Sequence, residues 1–182
     1  MSAADVIIRA AGLADAEAMA RLHVAVWQAT YRDLAPPEAI RRLDFAYRQA
    51  RWLETLEKAE RTALVTEIGA AIVGIGTAGA PTVPELGAHG EILHLYVDAG
   101  DARRGIGRAL MHRLALALQA QGYRSVALGV VEGNDAAIAF YKQLGGRAAG
   151  SYIDPGPIWR SRNQIITWDD LNTLLGRTRI AL

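Results

Sequence analysis

The segment Glu91-Ile-Leu-His-Leu-Tyr-Val-Asp-Ala-Gly-Asp-Ala-Arg-Arg-Gly105-Ile-Gly-Arg-Ala-Leu-Met111 decides the fold. Glu91 to Val97 reads as a strand. From Gly105 onward Ile106, Ala109, Leu110, Leu114, Ala117 and Leu118 lay an apolar stripe along a helix. Strand, basic glycine-bearing turn and helix therefore follow one another directly. The first N–H groups of a helix have no internal partner and the helix dipole adds positive potential, so an anion is doubly favoured there. Gly105 and Gly107 lack the Cβ that would hold a phosphate off the backbone. Arg103, Arg104 and Arg108 repeat positive charge at a helix start, where it opposes the dipole unless an anion is present. A tight turn with solvated arginines is the plainer alternative, but the strand–turn–helix context favours a pyrophosphate site.

Working outward, Ser125 to Val131 is a further strand, Asn134 a cap, and Ala136 to Leu144 a helix that gathers Ala137, Phe140, Tyr141 and Leu144 on one side and stops at Gly145-Gly146. Short strands are expected near Arg147 to Ile153 and Trp159 to Trp168, separated by the Pro155-Gly156-Pro157 turn. Upstream, Val6-Ile7-Ile8 is a short strand. Asp15 is placed to cap a helix reaching about Tyr31, with Ala18, Met19, Leu22, Val26 and Ala29 as its apolar stripe. Pro36-Pro37-Glu38 opens a second helix with Ile40, Leu43, Tyr47 and Leu53 inward. Ala63 to Ile68 and Ala71 to Ile75 form a hairpin, and Gly79 to Gly90 is a loop. The expected order is strand, two helices, three strands, helix, strand, helix, two strands, an α/β (α+β) arrangement carried by one domain over residues 1–182.

Gly74-Ile-Gly-Thr-Ala-Gly79 matches the dinucleotide pattern literally, with Asp98 about twenty residues on. It fails on context, because Ala80-Pro81-Thr82-Val83-Pro84 cannot begin a helix. The turn at Gly105 has Leu110 at the third glycine position and lacks the Gly-Lys-Ser/Thr ending of a P-loop, so neither a dehydrogenase nor a P-loop NTPase fits. Twenty basic against nineteen acidic residues leave a net charge of +1, which argues against a dedicated nucleic-acid binder. There is no cysteine, hence no disulfide framework and no thiolate chemistry of the chain's own. The start Met-Ser-Ala-Ala-Asp5 lacks a basic region followed by an apolar stretch, and no run is long enough to span a bilayer, so the expected location is the cytoplasm and no membrane partner is expected. His23, His89, His94 and His112 show no paired metal-ligand spacing, and no metal is expected. His94 either lines a site or is a satisfied interior histidine.

With these residues in view, Glu91 to Leu144 resembles the core of the GNAT superfamily of N-acetyltransferases, whose acetyl-CoA site is a strand, a Q/R-x-x-G-x-G/A turn and a helix. Here the turn reads Ala102-Arg-Arg-Gly-Ile-Gly107, departing at Ala102. The resemblance implies a mixed, mostly antiparallel central sheet flanked by helices, acetyl-CoA as cosubstrate, and an amine acceptor. It implies that Leu95, Tyr96 and Val97 bond the pantetheine arm through their backbone and that Arg103, Arg104, Gly105, Ile106, Gly107 and Arg108 cradle the pyrophosphate. Asn134-Asp-Ala-Ala-Ile-Ala-Phe-Tyr-Lys-Gln-Leu-Gly-Gly146 resembles a second family motif, in which Asn134 contacts the pantetheine and Tyr141 stands near the thioester sulfur.

Acetyl transfer makes demands these residues can meet. An alkyl ammonium with a pKa near ~10.4 must lose a proton before attack. Glu91 is the expected base, and plain strand alternation puts it on the face of Leu93, Leu95 and Val97. A strand-end carboxylate exposed or paired with an arginine is its plainer reading. Tyr141, with an unperturbed pKa of about 10, is the expected acid for the departing thiolate. The acceptor is expected between the early helices, which offer Trp27, Tyr31 and Asp33, and the late loop from Tyr152 to Trp159. Two other readings stay open: a non-catalytic acetyl-CoA-binding regulatory module, and a protein or peptide N-acetyltransferase. A homodimer is expected by analogy alone.

Overall fold

Among the described residues there are seven strands, most of them rich in β-branched and aliphatic residues: β1 (Val6–Ala10), β2 (Thr62–Ile68), β3 (Ala71–Gly79), β4 (Gly90–Val97), β5 (Val126–Val131), β6 (Arg147–Ile153) and β7 (Arg162–Trp168). The computed structural model describes residues 5–179; residues 1–4, on which the reading of the amino terminus rests, and 180–182 lie outside the described residues. One sheet runs β1-β2-β3-β4-β5-β7-β6. Neighbours are antiparallel except β4 and β5, which are parallel and pair only at Gly90 with Val126 and Glu91 with Ala127. Beyond Glu91 the two strands part.

Among the described residues six α-helices flank the sheet: α1 (Ala16–Tyr31), α2 (Pro37–Arg42), α3 (Phe45–Leu56), α4 (Ile106–Ala120), α5 (Asp135–Gln143) and α6 (Leu171–Thr178). Of the stripe expected on α4, Ile106, Leu110, Leu114 and Leu118 are buried; Ala109 and Ala117 lie half-buried at its edge, and Met111 and Ala115 complete the face that packs against β2 to β5 and against Leu171 and Leu174 of α6. On the opposite sheet face α1 and α3 enclose Met19, Leu22, Trp52, Val65 and Ile75. The glycines of the false dinucleotide pattern lie in β3 and have a packing reason. A Cβ on Gly76 would stand 2.8 Å from Leu114 Cδ1, and one on Gly74 would stand 3.0 Å from Ile106 Cγ2. They let α4 settle onto the strand.

The mixed, mostly antiparallel sheet is as expected, with corrections in the helices. The single helix expected after Pro36 is two, because Leu43 leaves helical geometry and Asp44 begins α3 by accepting from the Tyr47 N–H at 2.9 Å. Leu53 therefore faces solvent. Asp15 precedes α1 without capping it; its carboxylate is held by Arg9 at 2.7 Å and by the Gly12 N–H at 2.8 Å. The buried stripe of α1 is rotated, running through Ala16, Met19, Ala20, Leu22, His23, Trp27 and Tyr31, and it leaves Ala18 and Ala29 exposed. The last strand starts at Arg162, so Trp159 belongs to the preceding loop. Helix α6 is an addition, started by Asp170, whose side chain accepts from the Asn172 N–H at 2.9 Å.

Gly76→Val should lower stability by about 1–3 kcal/mol by forcing α4 off β3. The check is a lowered urea midpoint with an unchanged slope.

Candidate active site

A long cleft of about 1140 Å³ opens where β4 and β5 part. Its floor holds Leu95 and Val97 of β4, its walls Ala25, Val26 and Thr30 of α1 and Ala137, Phe140 and Tyr141 of α5, and its end the turn from Asp98 to Arg108. That turn takes two left-handed residues, Arg103 at φ 63° and Gly105 at φ 82°. The first bond of α4 runs from the Ala109 N–H to the Gly105 carbonyl at 2.9 Å, which leaves the N–H groups of Ile106, Gly107 and Arg108 without a helical acceptor. Successive amides around left-handed residues form a concave anion cradle. Gly105 has nothing within 4 Å of where its Cβ would be, so its absence of side chain serves the backbone angle and the open approach. A Cβ on Gly107 would touch the Phe140 ring at 3.4 Å. Arg104 is ion-paired with Asp101 across the turn, so the cleft's mobile positive charge comes from exposed Arg103 and Arg108, joined by Arg179.

The opposite side of β4 borders a cavity of about 250 Å³, and a β-bulge creates that arrangement. Thr77 pairs with His94 and Ala78 with Ile92, so Leu93 is an extra residue in β4. The extra residue reverses the alternation. Glu91, Leu93, His94 and Tyr96 border the cavity while Leu95 and Val97 border the cleft, which corrects the expectation that Glu91 shares their face. Trp27 and Tyr31 of α1 and Trp159 of the β6–β7 loop form an aromatic trio with centroids 5.2 to 5.8 Å apart. Tyr152 enters from β6 over Gly129, where a Cβ would lie 2.1 Å from the tyrosine Oη. Asp154 stands at the loop's start, its carboxylate accepting from the Gly156 N–H at 2.7 Å.

Electrostatics distinguish the groups at this junction. Glu91 is 1% exposed, and burial raises its pKa. Opposing that, Oε2 accepts from the Thr82 N–H at 2.7 Å and Oε1 from Thr82 Oγ1 at 3.0 Å, both favouring the carboxylate. It is neither exposed nor ion-paired with an arginine, unlike its plainer sequence reading. His94 is held neutral, its pKa pushed down to about 3 by burial and then by Arg48, and its Nδ1 lies 2.8 Å from Thr77 Oγ1. Burial pushes the Tyr141 and Tyr96 phenols above their ordinary value, so both stay protonated at neutral pH.

The remaining expected residues divide between the two spaces. Gly105, Ile106, Gly107, Arg103, Arg104, Arg108, Leu95, Val97 and Tyr141 meet along the cleft; the Tyr96 ring turns to the cavity and stacks on His23 at 4.3 Å. Asn134 caps α5, accepting from the Ala137 N–H at 3.3 Å, and donates to Tyr31 Oη at 3.2 Å, so its side chain braces the cavity wall. Asp33 is exposed and outside the cavity lining. Sequence reasoning missed Arg48 and Gly129 altogether; Tyr47 was read as inward without a place in the site, and Asp154 only as part of the late loop. For Arg48 the only signal was a cation next to the inward Tyr47, which does not separate a lining residue from a surface one. Among the described residues no His, Cys, Asp and Glu cluster has the arrangement of a metal site.

Residues 21–145 match the Acetyltransferase (GNAT) family. The chain is 25% identical over 169 residues to the uncharacterized N-acetyltransferase YuaI of Bacillus subtilis, covering 93% of this chain and 96% of that protein. Among solved structures it is similar to PaiA N-acetyltransferase of Thermoplasma acidophilum in complex with coenzyme A, with TM-score 0.70, 17% identity, and 90% and 98% of the two chains covered. It is also similar to the putative acetyltransferase yncA of Salmonella typhimurium with acetyl-CoA, with TM-score 0.68, 22% identity, and 92% and 94% covered.

Gly105→Val places a β-branched residue at φ 82°. Titration calorimetry should show a ligand bearing a pyrophosphate binding about tenfold more weakly or worse, a loss of about 1.4 kcal/mol.

Proposed function

The chain belongs to the acetyltransferase (GNAT) family, and from that membership we propose that it is a cytoplasmic, single-domain enzyme that acetylates the primary amine of a small molecule with acetyl-CoA as donor. The observation that carries this reading is the placement of two spaces on the two sides of one strand: the cleft beside Leu95 and Val97, and the cavity beside Glu91 and Tyr96. The cleft fits the donor. The unpaired backbone of β4 suits an extended amide-bearing arm, and the cradle at Gly105 to Arg108 suits a pyrophosphate. Acetyl-CoA supplies an acetyl group activated as a thioester.

The chain's residues supply the proton movements. Glu91, raised by burial and held in place by Thr82, takes the proton of the ammonium, directly or through one water, which frees the nitrogen lone pair for attack on the acetyl carbon. As the carbon–sulfur bond breaks, Tyr141 donates to the sulfur. The nitrogen gives up its second proton as the amide forms, which returns the phenol to its neutral state and leaves a net release of one proton to solvent. The raised phenol pKa favours a strong hydrogen bond to the developing thiolate over an early loss of the proton. The acceptor cavity of about 250 Å³, roofed by Trp159 against Trp27 and Tyr31, supports a small molecule over a protein chain.

Calorimetry with acetyl-CoA, followed by thiol release over a panel of amines, tests the reading. Binding with release on one amine class is the expected result; no binding of acetyl-CoA would overturn it. Glu91→Gln should lower kcat about 10²–10⁴-fold and remove the acid limb of the pH–rate profile, and Tyr141→Phe should lower kcat with little change in acetyl-CoA affinity. Thr82→Val removes a bond that favours the ionised carboxyl, so the Glu91 pKa should rise and the acid limb should move to higher pH.

A further inference from the structure

Arg48 is half-buried beside the acceptor cavity, and among the described residues it has no ion-pair partner. Its guanidinium lies over the Trp27 ring at 5.4 Å and the Tyr47 ring at 5.9 Å. Its Nε is buried without a hydrogen-bond partner; burial lowers its pKa, opposed by the nearby phenols of Tyr96, Tyr47 and Tyr31 and by no carboxylate. A desolvated guanidinium left in that condition is costly, and a site holds such a group when something else completes it. Arg48 also lines a second cavity of about 240 Å³, which shares Tyr47, Leu93 and His94 with the first.

That second cavity is basic. Arg48, Arg51, Lys58 and Arg61 line it, and no Asp or Glu does. Arg51 is ion-paired with Glu54 on the surface. Arg61 donates Nη2 to the Ala80 carbonyl at 3.0 Å while its Nη1 is buried without a partner. His23 and His94, the remaining titratable groups of the wall, are pushed down by burial and then by the Arg48 charge. Both carboxylates of the region, Glu91 and Asp154, border the first cavity. The two adjoining cavities are therefore polarised, with Arg61 on the far side, the candidate base Glu91 on the near side, and Arg48 on the wall they share.

We propose that the amine acetylated here carries an oxyanion, a carboxylate or a phosphate, and that Arg48, with Arg61 behind it, binds this oxyanion while the amine faces Glu91. The planar guanidinium matches either group through paired N–H donors. The first cavity, of about 250 Å³ and lined by both Arg48 and Glu91, suits a molecule of amino-acid size. The proposal rests on the acetyltransferase reading, and it selects within it: an uncharged alkylamine leaves the Arg48 end empty.

The test has two arms. In the first, thiol release is compared for β-alanine, its carboxamide, 2-aminoethyl phosphate and propylamine, with wild type, Arg48→Lys and Arg48→Met. The expected result is a kcat/KM for the carboxylate or the phosphate about 10–100-fold above the carboxamide and propylamine, reduced in Arg48→Lys and absent in Arg48→Met. Whichever anionic amine leads identifies the oxyanion. In the second arm, thermal melting is followed during titration with sodium acetate and sodium phosphate, with no acetyl-CoA present. Wild type should be stabilised by one of them. Arg48→Met should melt no lower than wild type without anion, because it removes an uncompensated buried charge, and should not respond to either salt. Acetyl transfer with equal preference for charged and neutral amines overturns the proposal and leaves the acetyltransferase reading intact. A lowered melting temperature for Arg48→Met with an unchanged anion response overturns it as well, since Arg48 is then structural. Stabilisation by anion that depends on Arg48, without transfer to any amine, upholds the anion site and counts against the acetyltransferase reading.

Discussion

Beyond the Glu91–Ala127 pair, the N–H and C=O groups on the β5 side of β4 have no strand to bond. Backbone polar groups away from water demand partners, and a sheet that opens in its middle survives only if its two halves are held together elsewhere. Here the holding is done by α4 and its neighbours. Ile106, Leu110, Met111, Leu114, Ala115 and Leu118 press into β2 to β5 on one face, while Tyr141 and Leu144 of α5 join the same core from the far side of the gap. Trp168 closes the seam, donating its indole N–H to the Leu144 carbonyl at 2.9 Å. The gap is thereby framed by packed core on both sides, and its unpaired amides offer a surface for an extended ligand.

One inserted residue then divides the labour of β4. A regular strand would send Glu91 and Leu95 to one face; the bulge at Leu93 sends them to opposite ones. In the proposed reading, proton chemistry and acceptor contacts fall on the side of His94 and Tyr96, and apolar support for the donor on the side of Leu95 and Val97. The side of His94 and Tyr96 is deeply buried and aromatic, which is why its titratable groups depart from their solution values. Burial leads in every case there: it raises Glu91, Tyr96 and Tyr31 and lowers His23, His94 and Arg48.

The donor half was legible in the sequence because it depends on local signals. Gly105 needs a left-handed φ, the arginines crowd one turn, and the apolar stripe of α4 starts at once after it. Asn134 as a cap and the hairpin at Gly69-Ala70 are of the same local kind. The acceptor half was only partly legible. Trp27, Tyr31 and the late loop converge as the resemblance implied, but the bulge at Leu93 leaves no mark in composition, since Ile-Leu-His-Leu alternates as well with an extra residue as without one. The break at Leu43–Asp44 was hidden by a continuous helical pattern, and it is this break that turns Arg48 inward. Helix α6 had its signals, Asp170 followed by Leu171, Leu174 and Leu175, in a short stretch after the last strand.

The two sides of β4 differ in how freely they can diverge during evolution. The donor side is built from main-chain geometry, the left-handed turn, the free amides of α4 and the open strand edge, so it tolerates side-chain change but not a change of length. The other side is built largely from side chains carried on α1, α3 and the β6–β7 loop, where substitutions leave the sheet ladder untouched. Leu93 stands between these regimes. It and His94 are consecutive yet border the same cavity, which only the bulge allows. Deleting Leu93 would restore regular alternation, keep Glu91 and Leu95 on opposite faces three positions apart, and take one side chain out of the cavity wall, so this strand can lose or gain a cavity-lining residue without disturbing the cleft on its other side.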